Sequence, residues 1–112
     1  MNWTSAELAA RLGGNGQLAR ELVDIFLVEY PNLLQSVRLS VERSDGEAIS
    51  RSAHALKGSV ANFIDAGPTA TAQALERAAT ESRLGDTPTL VEQLERELHE
   101  LAAAMRRHAG DR

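Results

Sequence analysis

Apolar residues recur along this chain at intervals of three and four, and no segment alternates apolar and polar at every second position. The first period lines one face of a helix and the second would line one face of a strand, so the pattern predicts an all-α protein. The first helical segment opens on a capping box, Thr4-Ser5-Ala6-Glu7, carries Leu8, Ala9 and Leu12 as a short apolar face, and stops at Gly13-Gly14. Trp3, just before the cap, is expected to cover one end of the assembly. The second segment runs from a cap near Asn15 to about Arg43, with Leu22, Phe26, Tyr30, Leu33, Val37 and Val41 as its stripe. Pro31 removes one helical hydrogen bond, yet the apolar phase runs on across it with no glycine or cap. That predicts a kinked helix rather than two. Val23, Leu27 and Leu34 widen the apolar surface, as a broad buried face requires; any part left exposed would make a docking patch.

A third helix is expected to open at Ser44-Asp45-Gly46-Glu47 and to end near Phe63 or Ile64. Ile49, Ser52, Ala53, Leu56, Val60 and Phe63 form its core stripe, about 100° wide. After the turn Asp65-Ala66-Gly67-Pro68 comes an alanine-rich helix around Leu75, closed by Gly85. Asp86-Thr87-Pro88 starts the last helix, with Leu90, Leu94, Leu98, Leu101 and Met105 in one stripe and a frayed tail after Ala109. Short connections make successive helices antiparallel neighbours. The expected architecture is an antiparallel up-down four-helix bundle with the short N-terminal helix packed across one end.

On the third helix, His54 falls roughly 140° from the centre of the core stripe and so points at water. Lys57 and Gly58 follow at i+3 and i+4, and Ala61 lies one turn further on the same side. A mid-helix glycine costs about 1 kcal/mol relative to alanine, and the hydrophobic pattern does not ask for this one. It is either a neutral surface residue or room for something that must come close beside His54.

Composition narrows the field. The 112 residues suffice for one domain with a real core, and the absence of cysteine excludes a disulfide framework and any thiolate zinc site. No apolar run is long enough to span a membrane and no signal-peptide pattern opens the chain, so membrane insertion is not expected. A net charge of −4 argues against nucleic acid as a partner. His99 and His108 are nine residues apart and do not share a metal-binding helix face, so no metal site is expected. No glycine-rich loop precedes a helix to cradle a nucleotide. The remaining chemistry is His54. A neutral imidazole is a competent nucleophile toward a phosphoryl group, and phosphoryl transfer needs charge stabilisation and in-line access more than a deep pocket. Lys57 offers the first, and the bare surface at Gly58 and Ala61 the second.

The run Ala53-His54-Ala55-Leu56-Lys57-Gly58-Ser59, with Ala61-Asn62-Phe63 and Leu75-Glu76 after it, resembles the histidine-containing phosphotransfer (HPt) domain of bacterial two-component phosphorelays. The similarity extends over nearly the whole chain, through Leu12-Gly13-Gly14, the long helix with its mid-helix proline and the acidic, leucine-rich last helix. Where the family commonly has a glycine after the Asn-hydrophobic pair, this chain has Ile64, which bears on the turn out of the third helix. The resemblance implies that His54 is the phosphoacceptor, modified to phosphohistidine, that Lys57 assists the phosphoryl group, and that Gly58 leaves room for a partner.

Ser50, Arg51, Gly58 and Ala61 are the expected partner contacts, with Arg51 and Lys57 flanking His54 on an otherwise acidic protein. Residues 1–112 are expected to form one HPt-like domain, cytoplasmic and monomeric. It would take phosphate from a receiver-domain aspartate and pass it to another receiver. The partners are receiver domains of response regulators or hybrid histidine kinases. No cofactor and no kinase activity of its own are expected, magnesium belonging to the receiver. A reading from another class is a helical adaptor that binds a receiver or other signalling protein and never carries phosphate.

Overall fold

The computed structural model describes residues 3–110, without the side chains of 108–110. The expected tail after Ala109 and the side chain of His108 therefore lie outside the described residues. In order along the chain come α1 (Ser5–Arg11), α2 (Gly16–Glu42), α3 (Gly46–Val60), α4 (Pro68–Thr80), one 3-10 turn (Leu84–Asp86) and α5 (Thr87–Gly110). There is no strand among the described residues. α2 packs on α3, α3 on α4, α4 on α5 and α5 back on α2, which closes the antiparallel four-helix bundle, and α1 lies against α2. The bundle is 44 Å long, close to the roughly 40 Å that the 27 residues of α2 alone span. α3 has only 15 residues, so the N-terminal part of α2 overhangs it. α1 fills that end: Leu8 is buried, and the buried Trp3 donates from Nε1 to the Phe63 carbonyl oxygen at 3.0 Å.

α2 runs unbroken through Pro31. Its buried face is Ala19, Val23, Phe26, Tyr30, Leu34, Val37 and Ser40. Leu22, Leu33 and Val41, placed at the centre of the stripe by periodicity, are only half-buried at its edge. The shift has a plain cause. Along the bundle α2 is flanked by α3 and α5, with α1 against it as well, so its core face is centred between these neighbours rather than on the most regular run of leucines and valines. The surplus that stays exposed is therefore Leu18, Ile25, Val28 and Leu39, not Val23 and Leu34.

The start of α3 and the end of α4 differ from the pattern, while α1 and α2 end where it places them. α1, α2 and α4 all stop with the same pair of hydrogen bonds. Gly14, Asp45 and Arg83 N–H groups donate back to Ala9, Ser40 and Ala78, while Gly13, Ser44 and Ser82 donate to Ala10, Val41 and Ala79. This is the Schellman closure, which needs one left-handed residue. Gly13 supplies it for α1, but serines supply it for α2 and α4, at φ +51° (Ser44) and +60° (Ser82). Ser44 thus ends α2 and cannot cap α3; Asp45 does, accepting from Ala48 N–H. For the same reason α4 stops at Thr80 rather than reaching Gly85. An L-residue in the left-handed region costs roughly 1–2 kcal/mol. Ser82→Gly is expected to relieve part of that and stabilise the bundle by about 0.5–1 kcal/mol, read as a higher denaturation midpoint at unchanged slope.

α3 ends at Val60, three residues short of Phe63, but the chain keeps near-helical geometry through the turn, with Phe63 and Ile64 N–H groups both on the Val60 carbonyl. Phe63 is therefore buried as the stripe requires. Ile64 is not among the left-handed residues; Gly67, at φ +59°, makes the reversal into α4, so the departure at Ile64 leaves the turn unstrained.

Candidate functional site

The core stripe of α3 fixes what its outer face can present. Ile49, Ala53, Leu56 and Val60 are fully buried, and His54, next to Ala53, is turned out to solvent with 68% of its side chain exposed. α4 comes close to α3 because its packing face is built of Ala72, Leu75, Ala78 and Ala79. At the N-terminal end of α3 a Cβ on Gly46 would be in van der Waals contact with the Ala79 carbonyl oxygen, at 3.6 Å. Leu75 points into the core, so Glu76, one position on, stands at the edge of α4 facing α3.

Glu76 organises the site. Its Oε1 accepts from Lys57 Nζ at 2.8 Å and its Oε2 lies 2.9 Å from His54 Nδ1. The hydrogen bond from Lys57 holds the Glu76 carboxyl below its ordinary 4.5; burial opposes this, and the charge of Lys57 and the hydrogen bond to His54 add to the lowering. An ionised carboxylate can only accept, so the proton of this contact sits on Nδ1. In the neutral ring the lone pair is then on Nε2, the atom directed away from Glu76. The arrangement presents a fixed tautomer, an exposed nitrogen nucleophile and a cation held nearby.

Lys57 is half-buried and tied to Glu76, so it is a held cation rather than the free surface charge that spacing alone suggests. Gly58 is exposed, and a Cβ there would meet nothing within 4 Å. No internal contact calls for a glycine at this position. Arg51 is exposed, Ser50 half-buried, and Ala61 forms the half-buried C-terminal cap of α3. His54, Lys57, Gly58, Arg51, Ser50 and Ala61 thus share one helix and its end. Beside them opens a shallow hollow of about 240 Å³ bordered by Lys57, Glu76, Gln73, Arg77, Thr80 and Glu81. His99 is exposed on α5, its ring edge-on to Tyr30 at 6.2 Å, on the helix diagonal to α3 and away from this group. Among the described residues no three His, Cys, Asp or Glu side chains form a group that could hold a metal ion.

Glu76 is the residue that spacing did not assign. The signal for it was indirect: an exposed His-x-x-Lys pair calls for a carboxylate on the neighbouring helix, and Glu76 follows Leu75, the one leucine of α4. Its depressed pKa gives a sign. The ionised form is favoured by folding, so its contribution to stability is present above the unfolded carboxylate value and is lost as pH falls through the lower folded one. The melting temperatures of wild type and Glu76→Gln are therefore expected to differ at neutral pH and to converge as pH drops below about 4.5 into the acid range.

No curated protein matches the chain in sequence. A solved structure, the histidine-containing phosphotransfer protein B of Pseudomonas aeruginosa, is similar in fold with a TM-score of 0.86 at 24% identity, over 94% of this chain and 91% of that one. The family model described as Hpt domain matches residues 21–104, well over half of the 112 and including all of α3 and α4. The chain belongs to the Hpt domain family, the phosphotransfer carriers of phosphorelays.

Proposed function

We propose that His54 Nε2 takes a phosphoryl group from the aspartyl phosphate of one receiver domain and passes it to the aspartate of another. The observation that carries this reading is the double acceptance by Glu76, which holds the proton on Nδ1 and leaves Nε2 bare and exposed. The Nε2 lone pair attacks phosphorus, the N–P bond forms, the P–O bond to the aspartate breaks, and the receiver's carboxylate leaves with its electron pair. The ring keeps its Nδ1 proton and becomes cationic, a charge that the Glu76 carboxylate stabilises. Lys57, released from Glu76 by a modest side-chain rotation, reaches toward the phosphoryl oxygens. Arg51, Ser50, Gly58 and Ala61 form the surrounding contact surface.

In this reading residues 1–112 act as one cytoplasmic domain, monomeric, in a bacterial two-component system. Magnesium resides on the receiver, the bundle needs no cofactor, and it makes no phosphohistidine from ATP unaided. The test is incubation with a purified receiver carrying labelled aspartyl phosphate. The expected product is a label on the bundle that is lost in acid, kept in alkali and assigned by NMR to Nε2. Stable binding of the receiver with no label would establish the adaptor reading instead.

A further inference from the structure

Between α4 and α5, beside the turn that joins them, the surface opens into a hollow of about 430 Å³. Small-molecule sites are clefts of roughly 300–1,000 Å³, mostly apolar, with a few polar groups that fix the orientation of what they hold. Small residues leave the space open. Ala74 on α4 and Leu90 on α5 are half-buried and form the apolar walls, and a longer side chain than the methyl of Ala74 would fill the gap. Gly85 borders the hollow from the turn, and a Cβ there would meet nothing within 4 Å.

The polar groups around the hollow are of two kinds. Arg83 is occupied: its Nε and Nη2 reach Glu81 at 3.0 and 2.9 Å, and its Nη1 reaches Asp86 at 3.0 Å. Asp86 also lines the hollow, but its carboxylate is held by that guanidinium. Arg77 is different. It is exposed and takes part in no hydrogen bond or ion pair. Thr89, on the facing helix, is exposed and its hydroxyl likewise has no partner. A guanidinium matches the paired oxygens of a carboxylate or phosphate, and a hydroxyl can donate a further hydrogen bond.

The hollow opens away from His54, because Ala74 lies about 160° round α4 from Glu76. Arg77 stands on the outer crest of α4 and also borders the smaller hollow beside Lys57. Every residue around that smaller hollow is polar, so only the α4–α5 side pairs the guanidinium with apolar walls.

We propose that the α4–α5 hollow binds a small organic anion, a carboxylate or phosphate monoester carried on an apolar body. Arg77 and Thr89 donate to the anionic head, and the body covers Ala74 and Leu90. The occupant leaves His54 and Glu76 uncovered, so the site is separate from the one described above.

The test is a titration of the ¹⁵N-labelled protein followed by NMR. The probes are phenyl phosphate and benzoate, with inorganic phosphate as the head alone and benzyl alcohol as the body alone. Both aryl anions are expected to give saturable shifts at the amides of Ala74, Gly85, Thr89 and Leu90 and at the Nε–H of Arg77. Head alone and body alone should each bind at least tenfold more weakly. Arg77→Gln should weaken phenyl phosphate by about tenfold, and Ala74→Leu should abolish its binding by filling the space. If Ala74→Leu does not fold, Arg77→Gln decides the matter. No saturable shift from either aryl anion overturns the proposal, as does equal binding by Arg77→Gln. Inorganic phosphate binding as tightly as phenyl phosphate would mean an adventitious ion only, and also overturns it. Shifts centred on Lys57 and Glu76 would move the anion to the other hollow and overturn it as well.

Discussion

His54→Gln will accept no phosphoryl group, from a receiver or from phosphoramidate, and will melt within about a degree of wild type. The two halves of that result have separate causes. The imidazole is exposed and contributes nothing to the core, and surface changes away from packing or caps usually stay within about 0.5 kcal/mol. The glutamine amide can still donate to Glu76, so the carboxylate keeps a partner and Lys57 keeps its place. The amide nitrogen, by contrast, is not nucleophilic, and no other group stands where Nε2 stands. His99 lies on the diagonal helix against Tyr30 and cannot substitute. Labelling of the variant at the wild-type rate, with the label mapped to another residue, would remove His54 from the mechanism.

Gly58→Gln should separate stability from function. Glycine in mid-helix is less favourable than a good helix former by about 0.5–1 kcal/mol, and the space beyond a Cβ at this position is empty. The variant is therefore expected to melt several degrees higher. Its side chain would occupy the surface one turn from His54, where the receiver backbone must come close for in-line attack. A displacement of about 1 Å at the reacting atoms can cost about 10²-fold in rate, and several extra heavy atoms at a flat contact displace the partner by at least that. Transfer from a receiver should fall by about 10²-fold while phosphoramidate labelling falls little. Measured together, the melting curve and the two labelling rates decide the matter. Wild-type receiver transfer in a more stable variant would place the approach surface elsewhere.

The helical class, the bundle and the outward facing of His54 were legible because they rest on periodicity, and a buried stripe fixes the opposite face as well. Asn15 and Pro68 marked helix starts for equally local reasons. The end of α2 near Arg43 was legible; that of α4 was not, because its left-handed residue is Ser82 and glycine is the signal that marks such an end in sequence. The centre of the α2 core face was displaced because several neighbours, not one, decide which residues are covered. Within the site, everything on α3 could be read, since one helix fixes its own angles. Glu76 could not, because its meeting with His54 and Lys57 depends on how far apart α3 and α4 lie and on their relative rotation. Those are properties of the alanine-lined contact between two helices, and no spacing within either helix states them.

Trp3 gives the end of the site helix an optical reporter. It is the sole tryptophan of the chain, it is 3% exposed, and its indole N–H is fixed on the carbonyl of Phe63. Its emission therefore follows whether α1 is seated over the end of α3, while circular dichroism follows the bundle as a whole. Coincident melting curves would mean that α1 and the bundle unfold as one cooperative unit. An earlier red shift in the fluorescence would mean that the N-terminal helix detaches first and wets Phe63, while the helices carrying His54 and Glu76 remain folded.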